Sequence, residues 1–214
     1  MLVVSTAADD PLLLTIEQAR VAAGLAADNA SQDPALAALN ERVTAEICSA
    51  LRIAAGTGGV PTLRRETLTE TLRDVVGPDI ILARRHEISI TSVIRDGLAL
   101  DAGDYEVSSE AGLLTRLIND RPAAWCASKL VVVYQAGFED LPVDLVAAAG
   151  DLLRMRQSET TRDPLVKRTQ VRVDGLDDVT TDFWVNAGGP ETVSGGIPGA
   201  ILSRLSRFRN WPVG

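Results

Sequence analysis

The sequence predicts an α+β fold: a helical bundle of long helices, an inserted β-hairpin and small sheet region, and a C-terminal amphipathic helix on a flexible linker. Three observations predict it. Apolar residues recur at three and four in a long stretch that opens at Asp33-Pro34, the signature of one buried helical stripe. From about residue 62, Thr-, Ile- and Val-rich runs separated by turn residues replace that spacing. Residues 186–199 then hold five glycines and two prolines, a linker composition, ahead of a short amphipathic end.

Residues 1–14 read as a loose arm or an edge strand. Thr15-Ile16-Glu17-Gln18 has capping-box form, so a helix of about ten residues follows and stops at Gly24. Asp33 as N-cap and Pro34 at the first position start the second helix. Leu36, Leu39, Val43, Ile47 and Leu51 form its stripe, and Gly56-Thr57-Gly58-Gly59 ends it.

In the β region, Ile88–Ile94 reads as a strand with a bulge, because alternation breaks after Ile90. Asp96-Gly97 is a type I′ hairpin signal. Leu98–Leu100 and Asp104–Val107 continue on its return side. Gly112–Ile118 and Lys129–Tyr134 are further strands, and Gly137 closes the region. Leu141-Pro142-Val143-Asp144 opens a third helix to about Thr160, packed through Leu145, Ala149, Leu152 and Leu153. Gly150 inside it points to a close helix approach. The divisions are 1–61 (N-terminal arm and helices), 62–138 (β-rich insert), 139–164 (core helix), 165–199 (extended segment and Gly-rich linker) and 200–214 (C-terminal docking helix).

Chemistry is sparse. The chain has 29 Asp plus Glu against 21 Lys plus Arg, a formal net charge of -8, which argues against dedicated nucleic-acid binding. It has one histidine and two cysteines. His86 lacks an HExxH or H-x-E partner and reads as a polar strand-edge residue. Cys48 and Cys126 form no C-x-x-C and read as packed thiols. GTGG lacks a following Gly-Lys-Ser/Thr, so it is a helix stop and not a phosphate loop. Asp174, Asp177, Asp178 and Asp182 miss the EF-hand spacing and read as a solvated acidic turn. No catalytic residue, cofactor site or metal site is assigned. No signal peptide or membrane span is expected.

The last helix has two readings. Ile201, Leu202, Leu205 and Phe208 lie on one side, with Arg204, Arg207 and Arg209 on the other. It either folds back onto its own core or serves as an arm that docks in a partner's groove.

Three stretches carry a resemblance. They are Ile90-Thr91-Ser92-Val93 through Asp96-Gly97 to Asp104-Tyr105-Glu106-Val107; Val133-Tyr134-Gln135-Ala136-Gly137-Phe138; and Leu141-Pro142-Val143-Asp144-Leu145. With the opening LTIEQARVAAGL and the closing Ile197-Pro198 to Phe208, the chain resembles the head-tail connector (adaptor, or head completion) proteins of tailed bacteriophages and gene transfer agents. The resemblance spans most of residues 12–160 and the last fifteen; residues 57–85 and 165–195 lie outside it.

What it implies is a structural virion protein of the neck, made in the host cytoplasm, and no enzyme. About twelve copies would form a ring between portal and tail, extend the DNA channel, help retain the genome and offer a platform for the next tail protein. The partners implied are the portal protein, a neck or tail-completion protein, further copies of the chain, and double-stranded DNA passing without specific binding. No membrane and no cofactor are implied. Portal docking is expected at Ile201, Leu202, Arg204, Leu205, Arg207, Phe208 and Arg209. The alternatives are another neck or tail-completion (stopper or terminator) protein, and a small cytosolic enzyme in which His86 meets Cys126 or an acid in space.

Overall fold

A computed structural model describes residues 1–161, 168–171, 179–182 and 196–210. In chain order the elements are β1 (Leu2–Thr6), α1 (Ile16–Ala22), α2 (Asp33–Ala50), β2 (Glu66–Gly77), β3 (Asp79–Ile81), β4 (Ser89–Arg95), β5 (Leu98–Ala99), β6 (Tyr105–Ser108), β7 (Leu113–Ile118), β8 (Arg121–Ala123), β9 (Trp125–Ala136), α3 (Val143–Thr161), β10 (Arg168–Val171), β11 (Val179–Asp182) and α4 (Gly199–Leu205). One antiparallel sheet has the order β1-β2-β9-β4-β5. The second has β3-β7-β6, with β8 also on β7, and β10 pairs with β11 apart from both.

This mainly β architecture, with nine strands in the two sheets among the described residues, corrects the expected bundle of long helices with a small β insert. The reason lies in β2. It is twelve residues long and pairs with the equally long β9 from Glu66 opposite Ala136 to Gly77 opposite Trp125. β1 then pairs with the other side of β2, so the first residues form an edge strand of the sheet. The alternation that marks a half-buried strand is present in β2, but Glu66 and Glu70 stand at inward positions beside Leu68. Acids at core positions hide a strand from any hydrophobicity count.

Two apolar cores result. One lies among the helices, built on Leu36, Val43, Ile47, Leu145, Leu152 and Leu153. The other lies between the sheets, around Leu68, Leu114, Trp125, Leu130, Val132 and Tyr134. Along β9 the buried positions change parity. Leu130, Val132, Tyr134 and Ala136 face inward on one half, Trp125 and Ala127 on the other. On β2 the change falls at Asp74, whose φ of 49° breaks the pleat. The β2–β9 ribbon therefore presents opposite faces along its length, and its far end seats Trp125 against the second sheet, where Nε1 donates to the Leu114 carbonyl at 3.0 Å.

Local signals set several boundaries. Thr15 and Gln18 form the reciprocal cap of α1. Asp33 is not the cap of α2: it is already helical, Gln32 takes the N-cap position without a side-chain bond, and Asp33 instead receives Arg20 Nε and Nη2 at 2.7 and 2.5 Å. That bidentate pair ties α1 to the start of α2. α2 ends at Ala50, before the glycine run. Gly56 and Gly59 serve β1 instead, since a Cβ there would come within 2.9 and 2.7 Å of Val4 Cγ2. The Val4 amide donates to the Thr57 carbonyl between them.

The expected bulge is present between Ile90 and Ser92 of β4. Asp96 and Gly97 turn the chain at φ 49° and 88°. The return strand is only the two residues of β5, which corrects the longer return expected through Val107. A 3-10 turn at Ala102–Asp104, where the Asp101 amide donates to Asp104 Oδ2 at 3.2 Å, redirects the chain so that β6 joins the second sheet. α3 packs through the expected Leu145, Ala149, Leu152 and Leu153, and a methyl group at Gly150 would meet Ala22 Cβ at 3.5 Å.

Candidate functional site

The seven residues expected to dock a partner lie on the terminal segment, which the structure seats on the chain's own helical layer. Ile201, Leu205 and Phe208 are buried, with Ile197 ahead of them, in the same core as α2 and α3. Leu202 is half-buried, while Arg204, Arg207 and Arg209 are exposed. Of the two readings of this helix, the packed one describes the chain, and what remains for a partner is the outward face. Arg204 Nη1 meets Asp151 Oδ2 at 2.6 Å, and Arg207 Nη2 meets Asp144 Oδ1 at 2.6 Å, both on α3. Arg207 also lies 4.6 Å over the Phe208 ring. These exposed pairs orient the helix more than they stabilise it.

The segment is held from the β side by Ala83–His86, between β3 and β4. Arg85 Nη1 donates to the Arg209 carbonyl at 2.6 Å, His86 Nε2 donates to the Phe208 carbonyl at 3.2 Å, and Asn210 Nδ2 donates to the Ala83 carbonyl at 3.1 Å. The Asn210 amide reaches the Leu51 carbonyl at the end of α2. Residues 207–210 thus join the two layers. His86 is buried, stacked on Phe138 at 5.0 Å and edge-on to Phe208 at 5.9 Å. This corrects the strand-edge reading, and burial pushes its imidazole below the ordinary value.

Behind His86 lies a buried polar cluster that sequence reasoning missed. Arg84 and Glu66 are 6% and 2% exposed at the side chain, with Nη2 and Oε2 3.3 Å apart. Arg84 Nη1 also donates to the Thr62 carbonyl. Next to them, Glu70 Oε2 accepts from Tyr134 Oη at 2.9 Å and from the Ala83 amide at 3.0 Å. Burial raises the Glu66 carboxyl even beside Arg84, and burial likewise raises that of Glu70 against its two donors. The signal that could have found the cluster is two acids, four apart, at inward positions of a β-alternating run.

A folded-state value raised above the unfolded one means that Glu70 contributes most below about pH 4.3 and loses that contribution as pH rises through its folded value. Glu70→Gln keeps an acceptor for both donors and removes the buried charge. The variant is expected to be more stable than the parent at pH 7 and indistinguishable from it near pH 4, as read by urea unfolding at both pH values.

The enzyme alternative placed His86 with Cys126, and the fold does not bring them together. Gly137, just past β9, donates its amide to the His86 carbonyl, whereas Cys126 sits near the other end of that strand. At about 3.3 Å per residue the strand carries the two sites roughly 36 Å apart. Cys126 is exposed, not packed as expected. Cys48 is buried, and burial pushes its thiol up to about 12. Among the described residues no group of three His, Cys, Asp or Glu converges as a metal site, and no helix is long and apolar enough to cross a membrane. Asp174, Asp177 and Asp178 lie outside the described residues, as does most of the expected 165–199 linker.

No protein-family model matches the chain, and no curated protein matches it. Among solved structures, it is similar to a chain from the neck of an empty GTA (gene transfer agent) particle computed with C6 symmetry. The TM-score is 0.57 at 20% identity, covering 100% of this chain and 97% of that one. The two chains share a fold. The region compared includes residues 57–85, which the sequence resemblance left out.

Proposed function

We propose that the chain is a structural protein of a virion neck, a head-tail adaptor whose copies form a ring beneath the portal, extend the DNA channel and carry the next neck or tail protein. The observation that supports this best is the whole-length fold similarity to a chain of a particle neck. The sequence motifs that resemble head-tail connectors point the same way. A ring of about twelve fits a sixfold particle as two chains per repeat.

The portal docks on the outward face of the terminal segment, through Leu202, Arg204, Arg207 and Arg209. Ile201, Leu205 and Phe208 act from behind, fixing that face to α3. Duplex DNA passes the ring without specific binding: a chain of net charge -8 gains little from phosphates, and acids at the channel wall keep ejecting DNA from adhering.

The direct test is cryo-electron microscopy of the purified neck, with density for this chain expected as a ring against the portal. A ring on the tail side would instead assign a tail-completion role. A second test uses the intact fold. Replacing Arg204, Arg207 and Arg209 together with glutamate is expected to weaken binding of purified portal at least tenfold, since like charges across an interface cost several kcal/mol. Undiminished binding by a folded variant would remove the docking face from this proposal.

A further inference from the structure

We propose that the groove between the end of α2 and α4 receives an acidic segment of a partner protein, which seats an apolar side chain in the groove and a carboxylate on Arg209. Ala50 and Leu51 form one wall and α4 the other, around a cavity of about 270 Å³. α4 lines it with Gly199, Ser203 and Ser206, residues too small to fill it, and with the half-buried Leu202. The hydroxyls add no donor, because Ser203 Oγ donates to the Ala200 carbonyl at 2.9 Å and Ser206 Oγ to the Ser203 carbonyl at 2.7 Å. Arg209 is the one charged residue of the lining. Its backbone is pinned on both sides: Arg85 Nη1 donates to the Arg209 carbonyl at 2.6 Å, and the next amide, of Asn210, donates to the Leu51 carbonyl at 2.9 Å. The groove and its cation therefore stand in place before any partner arrives, which lowers the ordering cost of binding.

Charge names the occupant. Of the three exposed arginines on the terminal segment, Arg204 is paired with Asp151 and Arg207 with Asp144. Arg209 has no acidic partner among the described residues. An uncompensated guanidinium beside an apolar cavity matches a ligand with an apolar body and a planar carboxylate, which the guanidinium can take through two parallel bonds. Duplex DNA is the poorer fit: it has no apolar side chain to enter the groove, and phosphate affinity accumulates over several cations. A chain-end carboxylate is held by a nest of backbone N–H groups, whereas the donor here is one side chain, so the acid is Asp or Glu within a segment. An apolar centre with a charged rim is also the ordinary anatomy of a protein interface. That the partner is the portal rests on the reading above, in which Leu202 and Arg209 belong to the docking face; the recognition itself does not.

The test titrates the full-length, nitrogen-15-labelled chain with two dipeptide probes, N-acetyl-leucyl-glutamate amide and N-acetyl-leucyl-glutamine amide. The glutamate probe is expected to give saturable amide shifts at Leu51, Leu202, Ser203 and Ser206, with a Kd of about 1–10 mM, the range such a small ligand reaches. The glutamine probe should bind about threefold more weakly, the modest effect of an exposed ion pair. Arg209→Gln should bring the two probes to equal affinity, and Ser203→Trp, filling the cavity from an exposed position, should remove the shifts from both. Both variants are checked for the parent's unfolding midpoint, and the comparison of the two probes on the parent needs neither. Absence of saturable shifts at those four amides overturns the proposal, and so does equal affinity of the two probes for the parent. The portal takes no part in these outcomes. A chain that binds the glutamate probe as expected but not the portal would sink the adaptor reading and keep the groove, and a chain that binds the portal but neither probe would do the reverse.

Discussion

A chain ending at residue 195 is expected to lose most or all of its cooperative unfolding transition. The segment removed contributes Ile197, Ile201, Leu205 and Phe208 to the helical core, none more than 9% exposed. Each such side chain is worth about 1.5–3 kcal/mol of burial. Four of them together approach the whole stability of an ordinary domain, about 5–15 kcal/mol. The truncation also uncovers Leu51, which lies beside Leu202, and removes the Arg209 and Phe208 carbonyls to which Arg85 and His86 donate. Single changes grade the effect. Leu205→Ala should cost about 2–5 kcal/mol by urea unfolding, and Arg209→Ala, at an exposed position, less than about 0.5. A truncated chain with the parent's midpoint would show that the helix is a free arm after all.

The sequence made this helix visible but not its destination. Apolar spacing at 201, 202, 205 and 208 defines one face, and that face suits a partner's groove or the chain's own. The decision lies in residues remote in sequence: Arg85 and His86 of the β region and Leu51 at the end of α2. Their bonds to residues 208–210 all end on backbone atoms, which leave no pattern to read. The caps and turns were legible because they are local. Thr15 with Gln18, the bulge after Ile90 and the Asp96-Gly97 turn depend only on residues within a few positions. The fold class differs from the expected one because β2 hides two glutamates in its inward face, so the Lys129–Tyr134 strand is expected without its long partner and the helices carry too much weight. The same two glutamates belong to the buried cluster, which is why the strand and the cluster were missed together.

That cluster gives the second large effect. Arg84→Met is expected to cost about 3–5 kcal/mol, the usual penalty for leaving one member of a buried pair uncompensated. Glu66 would then stand 2% exposed at the side chain without its cation, and the Thr62 carbonyl would lose its donor. Adding Glu66→Leu should recover most of the loss, because an apolar replacement of the whole pair avoids the desolvation that a lone charge suffers. Recovery stays incomplete by about 1–3 kcal/mol, the cost of the unpaired Thr62 carbonyl. The pH dependence separates this from a simple packing defect. Without Arg84 the Glu66 carboxyl is raised further, so its penalty is absent below the unfolded value near pH 4.3 and grows as pH rises. The Arg84→Met deficit should therefore shrink between pH 7 and pH 4 by urea unfolding, while a cavity would cost the same at both. A deficit independent of pH, or below about 1 kcal/mol at pH 7, would mean that Arg84 does not compensate a buried Glu66 charge. In the intact chain Arg84 sits one residue from the Ala83 carbonyl that receives Asn210, so the charge pair sets the backbone on which the terminal segment closes.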